Sequence, residues 1–242
     1  MSADKNTKNL ARKLGILRVM NQNDESIQSE SQIFSHLIVL DFEATCWKKK
    51  DNFNFQSEII EFSAALLNTK SGLIEDTFQQ YVFPLENAHL SEFCINFTGI
   101  TQKQVDDGVP LWTCLSLFNV WLKQITEKRN IDFSSYQQFS EQFAFVTWTD
   151  WDLGVCLEKE CRRKHIVKSE VFNCWIDLKK TYKNFYRRKP SGLNGALRDV
   201  GLSFQGQEHC GLDDAKNTGF LAWKMISDGC VLEITASVAN KK

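Results

Sequence analysis

The chain has 242 residues, 43% hydrophobic and 12% aromatic, which suits one sizeable core with a tail better than two domains. Its eight cysteines would be a disulfide set only in a secreted chain. No secretory signal or apolar run of membrane-spanning length is present, so a reduced, intracellular protein of cytoplasm or nucleus is expected. The net charge of −1 decides nothing about nucleic acid, because an acidic site can conceal local basic patches. There is no CxxC pair, and Cys156 and Cys161 lack a matching second pair, so a structural zinc site is not expected.

Residues 1–34 are polar and nearly free of aromatics, and are expected to form a loosely ordered arm ahead of a folded domain over 35–232 and a tail over 233–242. Within the arm, Leu10, Leu14 and Leu17 recur at helical spacing beside Lys8, Arg12, Lys13 and Arg18. A solvated or packing helix is the default reading; a mitochondrial presequence is the alternative, weakened by Asp4.

The next stretch, SHLIVLDFEATCW (35–47), opens with the apolar run of a strand covered on both faces. Residues two apart on a strand point the same way, so Asp41 and Glu43 project together while Phe42 packs behind them. A lone DxE is a solvated strand end or, with more carboxylates nearby, a divalent-metal site. Two further strands are expected at 57–68 and 76–84, completing a meander that Pro84 ends. Thr101 and Gln104 form a capping box with a staple of Ile100 on Val105. Pro110 is placed just inside a helix whose core stripe is Leu111, Leu115, Phe118, Leu122 and Ile125. Strands at 143–147 and 171–177 follow, with helices at 153–164, 178–187, 192–200 and 214–228, the last stopped by Gly229. A meander followed by alternation implies an α/β domain, its mixed five-stranded sheet covered by helices on both faces.

Two acidic groups stand at comparable positions. Asp150 and Asp152 follow the fourth strand, where Asp152 is also well placed to cap the next helix. Asp213 and Asp214 open the last helix, with Asp214 on the flank of Thr218, Leu221 and Met225, and His209 five residues earlier. In 177–189, six basic residues accompany one acid; such a run is either a solvated face or a path for a phosphate backbone. Phe42 and Trp148 are candidates for base stacking, although core burial fits Phe42 better.

Together these residues resemble a known set. DFEAT (41–45), WD (151–152) and HxxxxD (209–214) resemble the three motifs of the DEDDh exonucleases. LIVLDFEATCW, NFTGITQKQVD, NCWIDLKKTY and HCGLDDAKN resemble the ERI-type 3′→5′ exoribonucleases, relatives of the histone mRNA exonuclease, over residues 36–228. A Tyr four before the last Asp would mark the sister subclass; that position is Cys210. Matching the family's aromatic–Asp pattern selects Asp152, with Asp150 the alternative.

The resemblance implies a ribonuclease H-like exonuclease fold and two Mg²⁺ ions, replaceable by Mn²⁺, held by Asp41, Glu43, Asp152 and Asp214. It implies that His209 takes the proton from the attacking water, a task to which imidazole is suited. Glu43, Ala44, Thr45 and His209 would bind the nucleotide, and a 2′-OH contact near Glu43–Thr45 would favour RNA. Lys183, Arg187 and Arg188 are candidate strand contacts, with Lys48–Lys50 next in line. The implied partner is single-stranded RNA or an RNA 3′ overhang. The competing functions are the same chemistry on single-stranded DNA and a non-catalytic nucleic-acid-binding domain. The oligomeric state is not legible.

Overall fold

The apolar run at 37–40 becomes the middle of a mixed sheet. In the computed structural model, which describes residues 32–48, 56–129 and 143–238, β1 (His36–Ala44), β2 (Ile59–Asn68) and β3 (Ile74–Tyr81) form the expected antiparallel meander. β4 (Phe143–Thr147) and β5 (Cys174–Asp177) then lie parallel to β1, and the sheet order is β3-β2-β1-β4-β5-β6.

The sixth strand corrects the five-stranded expectation. β6 (Ala236–Ser237) falls in the segment read as a tail and pairs antiparallel with β5. The pairing covers the otherwise open edge of β5: Thr235 N–H donates to Trp175 O at 3.1 Å, and Asp177 N–H to Thr235 Oγ1 at 2.8 Å. The described residues from Ile33 onward form one compact unit. The Leu10, Leu14, Leu17 repeat and residues 239–242 lie outside the described residues. Phe34, at the far end of the expected arm, is buried.

Among the described residues, seven α-helices pack on the sheet. After the meander, α1 (Glu92–Thr98) and α2 (Gln102–Asp106) pack with Ile60, Leu90 and Ile100, and α3 (Leu111–Glu127) lies on one face of the sheet. α1 has no counterpart in the sequence expectations; it is seven residues long, starts on the Ser91 cap and ends on Gly99 with φ +73°. The Thr101–Gln104 capping box forms as expected, and Pro110 caps α3 from just outside it. All five expected stripe residues of α3 are buried, packing with Ile38, Leu40 and Phe42. A π-helical turn, Asp152–Leu157, leads into α4 (Glu158–Arg163). The first part of the expected 171–177 strand is instead a 3₁₀ turn, Glu170–Asn173, which turns Phe172 into the core.

On the other face lie α5 (Leu178–Tyr186), α6 (Gly192–Asp199) and α7 (Gly211–Ser227), packed on Leu37, Val39, Ala65 and Leu67. α7 crosses β1 and β2 directly. At Gly219 an added Cβ would make only ordinary contacts, with Ile74 at 3.5 Å and Val39 at 3.6 Å, so the crossing does not depend on glycine there.

Candidate active site

The two sheet faces sort the side chains of β1. Leu37 and Val39 pack toward α7, so Asp41 and Glu43 point to that side, while Phe42 enters the opposite core with its ring 4.5 Å from Phe62. Ladder pairing with β4 stops at Val39↔Val146, whereas pairing with β2 continues to Ala44. Residues 40–44 therefore face a cleft where the parallel strands end, the usual place for a ligand in an open α/β sheet. A register shift between Glu43 and Ala44 re-aims the strand there.

Other elements fill that cleft with acids. Asp152 does not cap its helix. Its Oδ1 accepts the N–H of Phe42 at 3.1 Å, taking the place of a strand partner, and the side chain is buried. The π turn carrying it widens the helix start, a distortion common at functional sites. Asp150 sits two residues away and adjoins Asp152 and Asp177 electrostatically. Asp214, in the first turn of α7, accepts the His209 N–H through Oδ2 at 2.7 Å. One ligand atom each from Glu43, His209 and Asp214 lies within 4.8 Å of the others.

His209 is held from three directions. Its backbone is left-handed, φ 66°, and its ring lies on Phe97 with centroids 4.0 Å apart. The loop before it is fastened to α7: Gln207 N–H donates to Asp213 Oδ2 at 3.0 Å, and Gln205 N–H to Asn217 Oδ1 at 2.9 Å. Gln207 also lies over Gly99, where any Cβ would meet its Nε2 at 2.7 Å.

Crowding buried acids has an electrostatic cost. Burial first, then Asp152, Glu43 and Asp214, hold the Asp41 carboxyl well above the usual range. Burial, then Asp214 and Glu61, push Glu43 up to about 9. Burial pushes Asp152 and Asp214 to about 7, against the opposing hydrogen bonds from Phe42 and His209. Among the described residues no Lys or Arg pairs with any of the four. A cluster of hard anionic oxygens without a protein counter-ion fits a divalent cation.

Sequence reasoning passed over two residues here. Glu61, on β2 opposite Glu43, is a fifth buried carboxylate, and an acid inside the apolar run IIEFSAALL was its only signal. Phe97 sits on α1, the helix that was not foreseen. Thr45 is buried, and its Oγ1 accepts the Glu58 N–H at 2.9 Å; Ala44 is buried beside it.

The basic segment divides. Lys179 N–H donates to Trp148 O at 2.9 Å, and its Nζ lies 5.8 Å from the Trp148 ring centre, at the cleft end of the sheet. Lys183, Arg187 and Arg188 are exposed further along α5 and just beyond it. Arg188 lies over the Tyr182 and Tyr186 rings and donates to Asp199 O at 3.0 Å. Leu178 and Tyr182 anchor α5 in the core, whereas Phe185 is exposed. Lys49 and Lys50 lie outside the described residues.

The Exonuclease (RNase_T) family matches residues 38–221. "ERI1 exoribonuclease 2" of Homo sapiens is 55% identical over 241 residues, covering 96% of this chain but only 35% of the relative. "3'-5' exonuclease Snipper" of Drosophila melanogaster is 47% identical, covering 84% of this chain and 74% of the relative. Among solved structures, the nuclease domain of 3'hExo, a DEDDh family member bound to rAMP, superposes with a TM-score of 0.75 at 36% identity. That match covers 84% of this chain and 98% of that one.

Proposed function

The chain belongs to the exonuclease (RNase_T) family, and from that premise we propose that it is a metal-dependent 3′→5′ exoribonuclease acting on single-stranded RNA or RNA 3′ overhangs. The observation that carries this reading is the meeting of Asp41, Glu43, Asp152, Asp214 and His209 where β1 outruns β4.

Each side chain has a task there. Asp41 and Glu43 from β1, Asp152 from the π turn and Asp214 from α7 offer the oxygens that would hold two divalent cations, Mg²⁺ with Mn²⁺ as its substitute. When bound, such ions supply charge neutralisation and Lewis acidity to an in-line displacement at phosphorus. His209 takes the proton from the attacking water, and its stacking on Phe97 limits the ring's orientations. The water adds to the terminal phosphorus, the bond to the upstream 3′ oxygen breaks, and a nucleoside 5′-monophosphate leaves. RNA is favoured by the relatives named as exoribonucleases and by the similar nuclease domain bound to rAMP. The backbone of Glu43, Ala44 and Thr45 is the segment from which a 2′-OH would be read.

The test is a time course on matched RNA and DNA oligomers labelled at the 5′ end, with and without Mg²⁺. The RNA should shorten stepwise from a free 3′-OH and resist when the 3′ end carries a phosphate. Internal cutting of the blocked oligomer at an equal rate would make the protein an endonuclease, and equal decay of DNA would remove the preference for ribose.

The basic segment gives a second expectation. If the strand passes Trp148 and Lys179 and continues along α5, Lys183, Arg187 and Arg188 contact phosphates upstream of the cut. Changing all three to Glu should raise KM on a long strand and leave kcat within a few-fold. Each lost single-strand phosphate contact lowers the salt slope of binding by about 0.7, so three remove about two units. Because Arg188 also holds Asp199 O, the Lys183→Glu, Arg187→Glu pair should be measured too; it should lose about 1.4 units with the fold undisturbed. An unchanged slope on the long strand makes these charges a solvated face.

A further inference from the structure

We propose that Glu61, an acid outside the DEDDh set, is a positioning residue that fixes the first turn of α7, and with it Asp214 and His209, against β1. The proposal rests on the metal-dependent reading above and adds a sixth residue to it.

Glu61 is 1% exposed and stands directly opposite Glu43 in the β1–β2 ladder. Burying one more carboxylate among four others is unfavourable unless its oxygens are well bonded. They are. Oε1 accepts the Ser63 hydroxyl at 2.8 Å and the Gln79 side-chain N–H at 2.7 Å, and Oε2 accepts the Gly211 N–H at 3.2 Å. Both oxygens are thus used within the chain, which separates Glu61 from the acids left to face a cation.

The Gly211 contact matters because α7 starts without a cap of its own. Its N-cap, Cys210, makes no side-chain hydrogen bond to the helix. The first N–H groups of a helix need acceptors, and a negative charge there is favoured by the helix dipole. Here the acceptor comes from the neighbouring strand, 150 residues away in sequence. Gly211 is what lets the backbone come close: a Cβ on it would stand 3.2 Å from Ser63 Oγ and 3.3 Å from the Glu61 carboxyl. Asp214 lies within the same helical turn, and its Oδ2 holds the His209 N–H. A shift of that turn away from β2 moves both functional groups away from Asp41 and Glu43 together.

The experiment compares wild type with Glu61→Ala, Glu61→Gln and Gly211→Ala. Turnover on a labelled RNA oligomer is one measurement; Mn²⁺ binding without RNA, by calorimetry, is the other. Outer-shell partners of metal ligands typically carry 10–100-fold in affinity or activity. Glu61→Ala should therefore lower kcat and weaken Mn²⁺ binding by roughly 10–100-fold, with KM for RNA within about three-fold. Glu61→Gln keeps the shape and an acceptor for the Gly211 N–H, and should recover most of both. Gly211→Ala should lose in the same direction and add little in the Glu61→Ala background, since both break one contact.

A folded Glu61→Ala with unchanged Mn²⁺ affinity and kcat would make Glu61 scaffold only, and a loss confined to KM would place it on the RNA. Glu61→Gln as impaired as Glu61→Ala would make the charge, not the hydrogen bond, the cause; each of these overturns the proposal. Should Glu61→Ala not fold, the Glu61→Gln and Gly211→Ala comparison decides. A wild-type protein inert on RNA would sink the exonuclease reading while leaving the Mn²⁺ comparison to judge Glu61.

Discussion

Asp41→Asn should reduce kcat by several orders of magnitude while the protein stays folded. Asp41 lies electrostatically among Asp152, Glu43 and Asp214, so on the proposed reading its loss removes one of the oxygens that would hold the cations. KM should change little, because the carboxylate acts on the reacting centre and not on the upstream strand. EDTA should abolish turnover in the wild type, and Mg²⁺ or Mn²⁺ should restore it.

The same substitution should stabilise the metal-free protein, and pH reveals why. Asp152 and Asp214 rise from about 3.8 in the unfolded chain to about 7 in the fold, and Glu43 from about 4.5 to about 9. Between those values the folded state holds protons that the unfolded state has released. Metal-free stability is then fullest below about pH 4 for these groups and is lost as pH rises through about 7 and about 9. In EDTA the melting temperature should fall from pH 5 to pH 9, more steeply in the wild type than in Asp41→Asn. On the proposed reading Mg²⁺ should raise and flatten the curve, as any ion that binds the charged cluster of the folded state alone would. Full activity in excess EDTA, or in Asp41→Asn, would end the two-metal reading.

Replacing His209 should cost roughly 10²–10⁴-fold in kcat, the usual loss on removing a general base, with KM nearly constant. Alanine alone is an ambiguous probe, because His209 adopts φ 66° and leaves the Phe97 ring uncovered when truncated. Asparagine tolerates the left-handed conformation better, so His209→Asn separates backbone strain from chemistry. Both variants should be equally impaired in turnover, with Asn the more stable in thermal melts. Retention of turnover within five-fold by either one would remove His209 from proton transfer.

Much of this was readable before any coordinates. The DxE pair was legible because a two-residue period forces Asp41 and Glu43 onto one side of β1, and α7 because its small and apolar residues repeat at helical spacing. The mixed sheet followed from the short connections of the meander and the later alternation of strands and helices. β6 was not legible: two residues carry no periodicity, and they are a strand only because β5 has an open edge. Nor was the turn of Asp152 onto Phe42, since the bond depends on β4 ending before β1 does and joins residues 110 apart. Glu61 stayed hidden for the same reason, its partners lying 2, 18 and 150 positions away. Local pattern finds residues whose neighbours are near in sequence; it misses those whose surroundings are made by closure of the fold.

The order in which the chain supplies these groups has a consequence for its synthesis. β1 delivers Asp41 and Glu43 early, but Asp152, His209 and Asp214 arrive only with the later strands and α7. At a translation speed of about 5–20 residues per second, the first two acids leave the ribosome roughly 5–20 seconds before Asp152 and roughly 9–34 seconds before Asp214. Until α7 has been made, β1 has β2 to pair with but no α7 to cover it, so His209 and Asp214 are missing from the proposed site. On the proposed reading the site is complete only once α7 has folded onto β1 and β2.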